Sequence, residues 1–148
     1  MKIGNSITFH YSGNRPEVKD IAKSSIASFH DCCKYSFSSY IIDNQSDPID
    51  SIHDVVDTTI SNMNYTYVED QYEKGLTGAW NLSIKQAIED DCDLIVLAGD
   101  DIIFDDTINQ LIEYAINDEL NDNSIYEPVV SNIVHPRHQL ASAPTGRI

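Results

Sequence analysis

The sequence is short of positive charge: 9 Lys and Arg stand against 24 Asp and Glu, giving a formal net charge of −15 over 148 residues. Between Lys85 and Arg137 there is no Lys or Arg at all. Such a field repels polyanions, which argues against nucleic acid or an anionic membrane surface as a partner. An anionic small ligand would have to bring a cation with it. General acidity also serves solubility, and that reading covers most of the surface acids. It does not explain acids placed at the end of an apolar strand.

Cysteine is scarce as well. Cys32, Cys33 and Cys92 make an odd count with no CxxC pair, so neither a disulfide framework nor a zinc site is supported. Reduced thiols in a cytoplasmic protein are the expectation. No apolar run is long enough to cross a bilayer, and Met1-Lys2-Ile3-Gly4-Asn5-Ser6 lacks the apolar core of a signal peptide. The 41% hydrophobic content and the length suit one compact α/β domain.

What is present alternates. Ser6 to Tyr11 is β-prone and is broken by Ser12-Gly13-Asn14-Arg15-Pro16; from Glu17, Val18, Ile21, Ala22, Ile26 and Phe29 follow helical spacing. A second strand is expected at about Phe37 to Asp43. Asp47 and Pro48 then suit the opening of a helix that turns Ile49, Ile52, Val55 and Val56 inward. Tyr65 and Tyr67 mark a third strand ending near Glu69. The segment from Gly78 to Asp90 predicts a helix with Trp80, Ile84, Ala87 and Ile88 on its inner face. Asp93 to Ala98 is a fourth strand, read as buried on both faces, and a helix follows from Thr107. Pro128 to Ser131 offers a fifth strand, and the tail from His135 is irregular. This order predicts a mainly parallel sheet with helices on both faces, in which ligands sit beyond the carboxyl ends of the strands.

The chemistry-bearing residues fall at that edge. Asp100 and Asp101, just past Leu94-Ile95-Val96-Leu97-Ala98, are hard oxygen donors suited to Mg²⁺ or Mn²⁺. They also read as exposed turn acids. Asp43 could accept a donor from a uracil or guanine base, or be a turn residue beside a capping Asp47. Gly75 and Gly78 flank a helix start, where bare backbone amides and the helix dipole favour phosphate. Arg15 and Lys74 are basic groups near the same edge. Asp105 and Asp106 read as caps, and His135 and His138 as solvated or as extra ligands to a metal or phosphate.

Taken in order, the motifs resemble the nucleotide-binding half of a family 2 glycosyltransferase with the GT-A (Rossmann-like) fold. Thr8-Phe9-His10-Tyr11-Ser12-Gly13-Asn14-Arg15-Pro16 is similar to that family's first strand and loop, and Ile42-Asp43-Asn44-Gln45-Ser46-Asp47 to its acid-rich second loop. Gly75-Leu76-Thr77-Gly78-Ala79-Trp80-Asn81 resembles its helix entrance, and Asp93 to Asp101 occupies the place of its DxD motif. The resemblance covers roughly residues 6 to 133. It implies a domain over 1–134 followed by a tail, 135–148. It further implies a nucleoside diphosphate sugar, UDP- or GDP-linked, bound by His10, Tyr11, Asn14, Arg15, Asp43, Gly75, Gly78 and Asn81. A metal, Mn²⁺ or Mg²⁺, would sit at Asp100 and Asp101. Ala98 stands where the leading aspartate of DxD would be. The family's acceptor half and catalytic base have no match, so a second copy or a partner subunit would supply them. A non-catalytic nucleotide-sugar-binding module is the rival expectation. A phosphoacceptor receiver domain would need its acid pair after the first strand, where Ser12-Gly13-Asn14 stand.

Overall fold

A computed structural model of the chain describes residues 1–48, 50–56 and 75–117. The expected strands at Tyr65 to Glu69 and Pro128 to Ser131 lie outside the described residues. So do Ile49, Lys74, His135, His138 and the tail. The chain divides into two compact units, Met1–Asp105 and Asp106–Ile148, a boundary that falls inside the expected 1–134 domain.

Among the described residues, the first unit is an α/β structure with a three-stranded parallel sheet. Its elements are β1 (Lys2–Phe9), α1 (Glu17–Cys32), β2 (Ser36–Asp43), α2 (Ser51–Val56), α3 (Gly75–Glu89) and β3 (Leu94–Gly99). The strand order is β2-β1-β3, with Lys2 to Phe9 in register with Ser36 to Asp43, and Ile3 to Thr8 with Leu94 to Gly99. β1 therefore starts four residues before the strand read from the sequence, and the reason is tertiary. Lys2 to Asn5 has little apolar alternation to advertise a strand, yet it is flanked on both sides. At this amino edge the Lys2 N–H donates to the Asp93 carboxylate at 2.8 Å and the Lys2 ammonium to the Asp90 carbonyl at 2.9 Å.

Alternation along the strands sorts the helices onto two faces. On one face Ile7, Phe9 and Ile41 meet Ala22 and Ile26 of α1 and Ile52, Val55 and Val56 of α2, with Ala98 in the same cluster. Each such large side chain contributes about 1.5–3 kcal/mol on burial. Phe29 of α1 extends this core through edge-on contacts with Phe37 and Phe104, at 5.2 and 5.0 Å between ring centres. α1 begins after Pro16 with Glu17 and Asp20 in its first turn, where negative charge complements the helix dipole.

On the other face α3 turns Ala79, Ser83 and Ala87 inward. Of the expected inner face, Ala87 is inward, whereas the other three are corrected: Ile88 is 68% exposed, and Trp80 and Ile84 are half-buried. The sheet decides the matter, because β1 presents Gly4, Ser6 and Thr8 to α3 on this side and admits a close approach by small residues. A Cβ at Gly4 would lie 3.2 Å from the Ala87 Cβ, and the Ser6 hydroxyl donates to the Ser83 Oγ at 2.7 Å. Larger inward side chains on α3 would hold the layers apart.

Two further readings change. β3 is not buried on both faces: Leu97 is 37% exposed and Ala98 alone is buried, whereas β1, flanked by β2 and β3, takes the central place. α2 starts at Ser51 rather than at Pro48, so Asp47 is not its cap. The backbone N–H groups of Asn44 and Asp47 donate to the carbonyls of Phe9 and Tyr11, both at 2.7 Å, which continues the pairing of the two strands past their ends. In the second unit, α4 (Thr107–Asn117) buries Ile108, Asn109 and Ile112. The Asp106 carbonyl there accepts the backbone and side-chain N–H of Asn109, at 3.2 and 3.3 Å.

Candidate functional site

The chain goes from β1 to β2 on one side and then returns to the far side of β1 for β3. This reversal makes the carboxyl end of the β1/β3 pair a topological switch point, the place where open α/β sheets form a crevice. β1 runs out into His10 and Tyr11, β2 ends on Asp43, and β3 is followed by Asp100 and Asp101. α3 precedes β3 and runs against it. Since its carboxyl end joins β3 at the amino edge, its first residues, from Gly75 to Gly78, lie toward the carboxyl edge by topology, whereas Asn81, two residues before the Ser83 that meets Ser6 in mid-strand, is exposed further back.

Asp100 is half-buried against the end of β1, where its carboxylate accepts the backbone N–H of His10. Burial pushes this carboxyl up to about 6; the His10 N–H and imidazole oppose the rise, and the like charge of Asp101 adds to it. Asp101 is exposed and folds back over Gly99, where a Cβ would come 2.9 Å from its Oδ1. Only a residue without a side chain leaves Asp101 in that position.

Asp43 is fully buried. Its Oδ1 accepts the Ser46 N–H at 3.0 Å and the Ser46 hydroxyl at 2.6 Å, while Oδ2 is buried without a hydrogen-bond donor. Burial raises the carboxyl above its ordinary range, against the Ser46 bonds and the nearby His10 and His53, which lower it. Tyr11 is buried in the α1 face, and its backbone N–H donates to the Ser46 Oγ at 2.9 Å. The His10 Nδ1 lies 2.8 Å from the Asn44 carbonyl. Above Tyr11, the Lys19 ammonium sits 4.5 Å from the ring centre and 2.6 Å from the Asp54 carboxylate.

The structure thus brings His10, Tyr11, Asp43 and Asp100 together through hydrogen bonds. Asn14 and Arg15 are exposed in the turn before α1, and the Arg15 guanidinium is paired with Glu17 at 2.9 Å. Gly13 and Gly75 hold left-handed backbone, at φ 77° and 56°, which glycine adopts without steric cost. Ser46 and Lys19 carry roles that sequence reasoning did not assign. The spacing Asp43-x-x-Ser46 was a usable signal for Ser46, since a carboxylate often takes hydrogen bonds from residues two or three further on. Nothing in the local pattern marks Lys19.

Among the described residues, no set of three or more His, Cys, Asp or Glu side chains is close enough to hold a metal ion. None of the described helices is long and apolar enough to cross a membrane. No protein-family model and no curated protein matches this chain.

Proposed function

We propose that this chain is a glycosyltransferase-like protein of GT-A type that holds a nucleoside diphosphate sugar, together with Mn²⁺ or Mg²⁺, at the carboxyl edge of its sheet. The observation that carries the reading is Asp100. A carboxylate set half-buried at the β1/β3 switch point beside a second acid is costly to ionise, and a bound cation relieves that cost. Small hard cations such as Mg²⁺ are commonly held by one or two carboxylates plus substrate phosphates, so Asp100 and Asp101 fit the role without a third protein ligand.

The metal would supply charge neutralisation to a leaving diphosphate. For its part the chain holds Asp100 by the His10 N–H, leaves room for Asp101 over Gly99, and offers the bare first turn of α3 at Gly75 and Gly78 to a phosphate. No described residue is assigned as the base that would deprotonate an acceptor hydroxyl. The second reading, a nucleotide-sugar-binding module without transfer, is favoured by Ala98. At the position of the family's leading acid it is packed into the core with Ile7 and Phe9.

Calorimetry with UDP and GDP, with and without Mn²⁺, tests the proposal. Metal-dependent binding that is lost in Asp100→Ala is the expected result. Absence of binding by both nucleotides, or binding indifferent to Asp100→Ala, would overturn it. Release or transfer of sugar from a bound donor then separates enzyme from module.

A further inference from the structure

We infer that Asp43 is a positioning residue, which acts on the Asp100 site through Ser46 and the His10–Tyr11 backbone and does not touch the nucleotide. This rests on the functional reading above, and the bonds fix its direction. The Ser46 hydroxyl has one proton, given to Asp43 Oδ1 at 2.6 Å, so toward the Tyr11 N–H at 2.9 Å it can only accept. Both donors of Ser46 therefore go to one carboxylate oxygen, and that carboxylate polarises the hydroxyl that receives Tyr11.

On the opposite side of the same dipeptide, the His10 N–H is held by Asp100. Two successive peptide units are thus strung between two acids, the His10 N–H held by Asp100 directly and the Tyr11 N–H by Asp43 through Ser46. The surrounding bonds keep them there: Asn44 N–H to the Phe9 carbonyl, Asp47 N–H to the Tyr11 carbonyl, and His10 Nδ1 against the Asn44 carbonyl. Lys19, braced by Asp54, covers the Tyr11 ring.

A direct contact between Asp43 and a base is not what these atoms offer. Oδ1 already receives two donors, and Oδ2 is enclosed in a fully buried side chain. If Ser46 loses its hydroxyl, the Tyr11 N–H is left buried without its acceptor. The strand end then relaxes, and with it the His10 N–H that orients Asp100. A buried donor without a partner costs about 1–3 kcal/mol, which is roughly 5- to 150-fold in an equilibrium.

The test compares wild type, Ser46→Ala and Asp43→Asn by calorimetry with UDP·Mn²⁺ and GDP·Mn²⁺, and by amide hydrogen exchange without ligand. Ser46→Ala is expected to weaken both nucleotides by the same factor, about 10-fold, and to speed exchange at both Tyr11 and His10. Asp43→Asn keeps an oxygen acceptor toward Ser46, so its ratio of UDP to GDP affinity stays that of wild type. Unchanged exchange at His10 in Ser46→Ala overturns the inference. So does a changed base preference in Asp43→Asn, the mark of a direct contact. If wild type binds neither nucleotide, the glycosyltransferase-like reading fails, and exchange at His10 alone decides whether Asp43 acts through the strand end. Circular dichroism on each variant establishes that it is folded; should Ser46→Ala not fold, Ser46→Cys, whose sulfur is a weaker acceptor for the Tyr11 N–H, takes its place in both readouts with the same expected and overturning results.

Discussion

Replacing Asp100 by Asn should stabilise the protein at neutral pH, by an amount that grows as pH rises. The carboxyl stands at about 6 in the folded state against an ordinary 3.8, with burial as the main cause. Between those two values the folded state binds more protons than the unfolded one, so this group makes stability fall as pH rises through the interval. Below 3.8 both states are protonated and nothing is lost; above 6 the full penalty is present. At 1.36 kcal/mol per pH unit the full penalty is about 3 kcal/mol, and about 2 kcal/mol once solvent screening of a half-buried group is allowed for. Asn removes the charge and keeps an oxygen for the His10 N–H. Urea unfolding of wild type and Asp100→Asn at pH 5 and pH 7.5 is the assay. The variant should be the more stable, and its advantage should widen by about 1 kcal/mol over that range. Comparing the pair cancels the other acids of a chain carrying −15. A variant less stable than wild type at pH 7.5, or an advantage that does not change with pH, would refute the burial argument. Under the proposed function, Mn²⁺ should raise the stability of wild type alone and close the gap.

Gly4→Ala should destabilise by about 1–3 kcal/mol in urea unfolding, because the new Cβ meets Ala87, Tyr40 and Ile95 at 3.2 to 3.3 Å, in a layer with no slack. Ser83→Ala should cost about 1–2 kcal/mol by leaving the buried Ser6 hydroxyl without its acceptor, and Ser6→Ala/Ser83→Ala should cost less than the two single changes added together; strict additivity would argue against a shared bond. On α3, Ile88→Lys should shift stability by less than about 0.5 kcal/mol, since the side chain is 68% exposed, whereas Ala87→Leu should cost about 1–3 kcal/mol; the opposite ranking in thermal unfolding would restore the face expected from sequence.

Element type was legible wherever a periodic apolar pattern coincided with turn chemistry. α1 shows this best: Ala22, Ile26 and Phe29 recur on one face, Pro16 stands just before the first turn, and the helix runs where the spacing placed it. The strand ends that carry Asp43 and Asp100 were equally readable, because a break in an apolar run is a local event. α3 misled because two stripes coexist on it. Trp80, Ile84 and Ile88 look like a core face by hydrophobicity, yet Ala79, Ser83 and Ala87 are the residues that fit a sheet surface made of Gly4 and Ser6. Hydrophobicity measures the tendency to leave water, whereas packing also depends on the shape of what is met.

The sequence by itself determined the alternation of strands and helices, the acidic field, and the arrival of acids at strand ends. These follow from local propensity and composition, which need no partner. Only the tertiary structure decided that β1 lies between β2 and β3. That order makes the β1/β3 end a topological switch point and sets Asp100 against the His10 N–H. Tertiary structure also separated two acids that look alike in the chain. Asp43 is turned inward onto Ser46, and Asp100 stands half-buried past the end of β3. A carboxylate's role depends on which donors surround it and how much water remains, and both are set by residues distant in sequence.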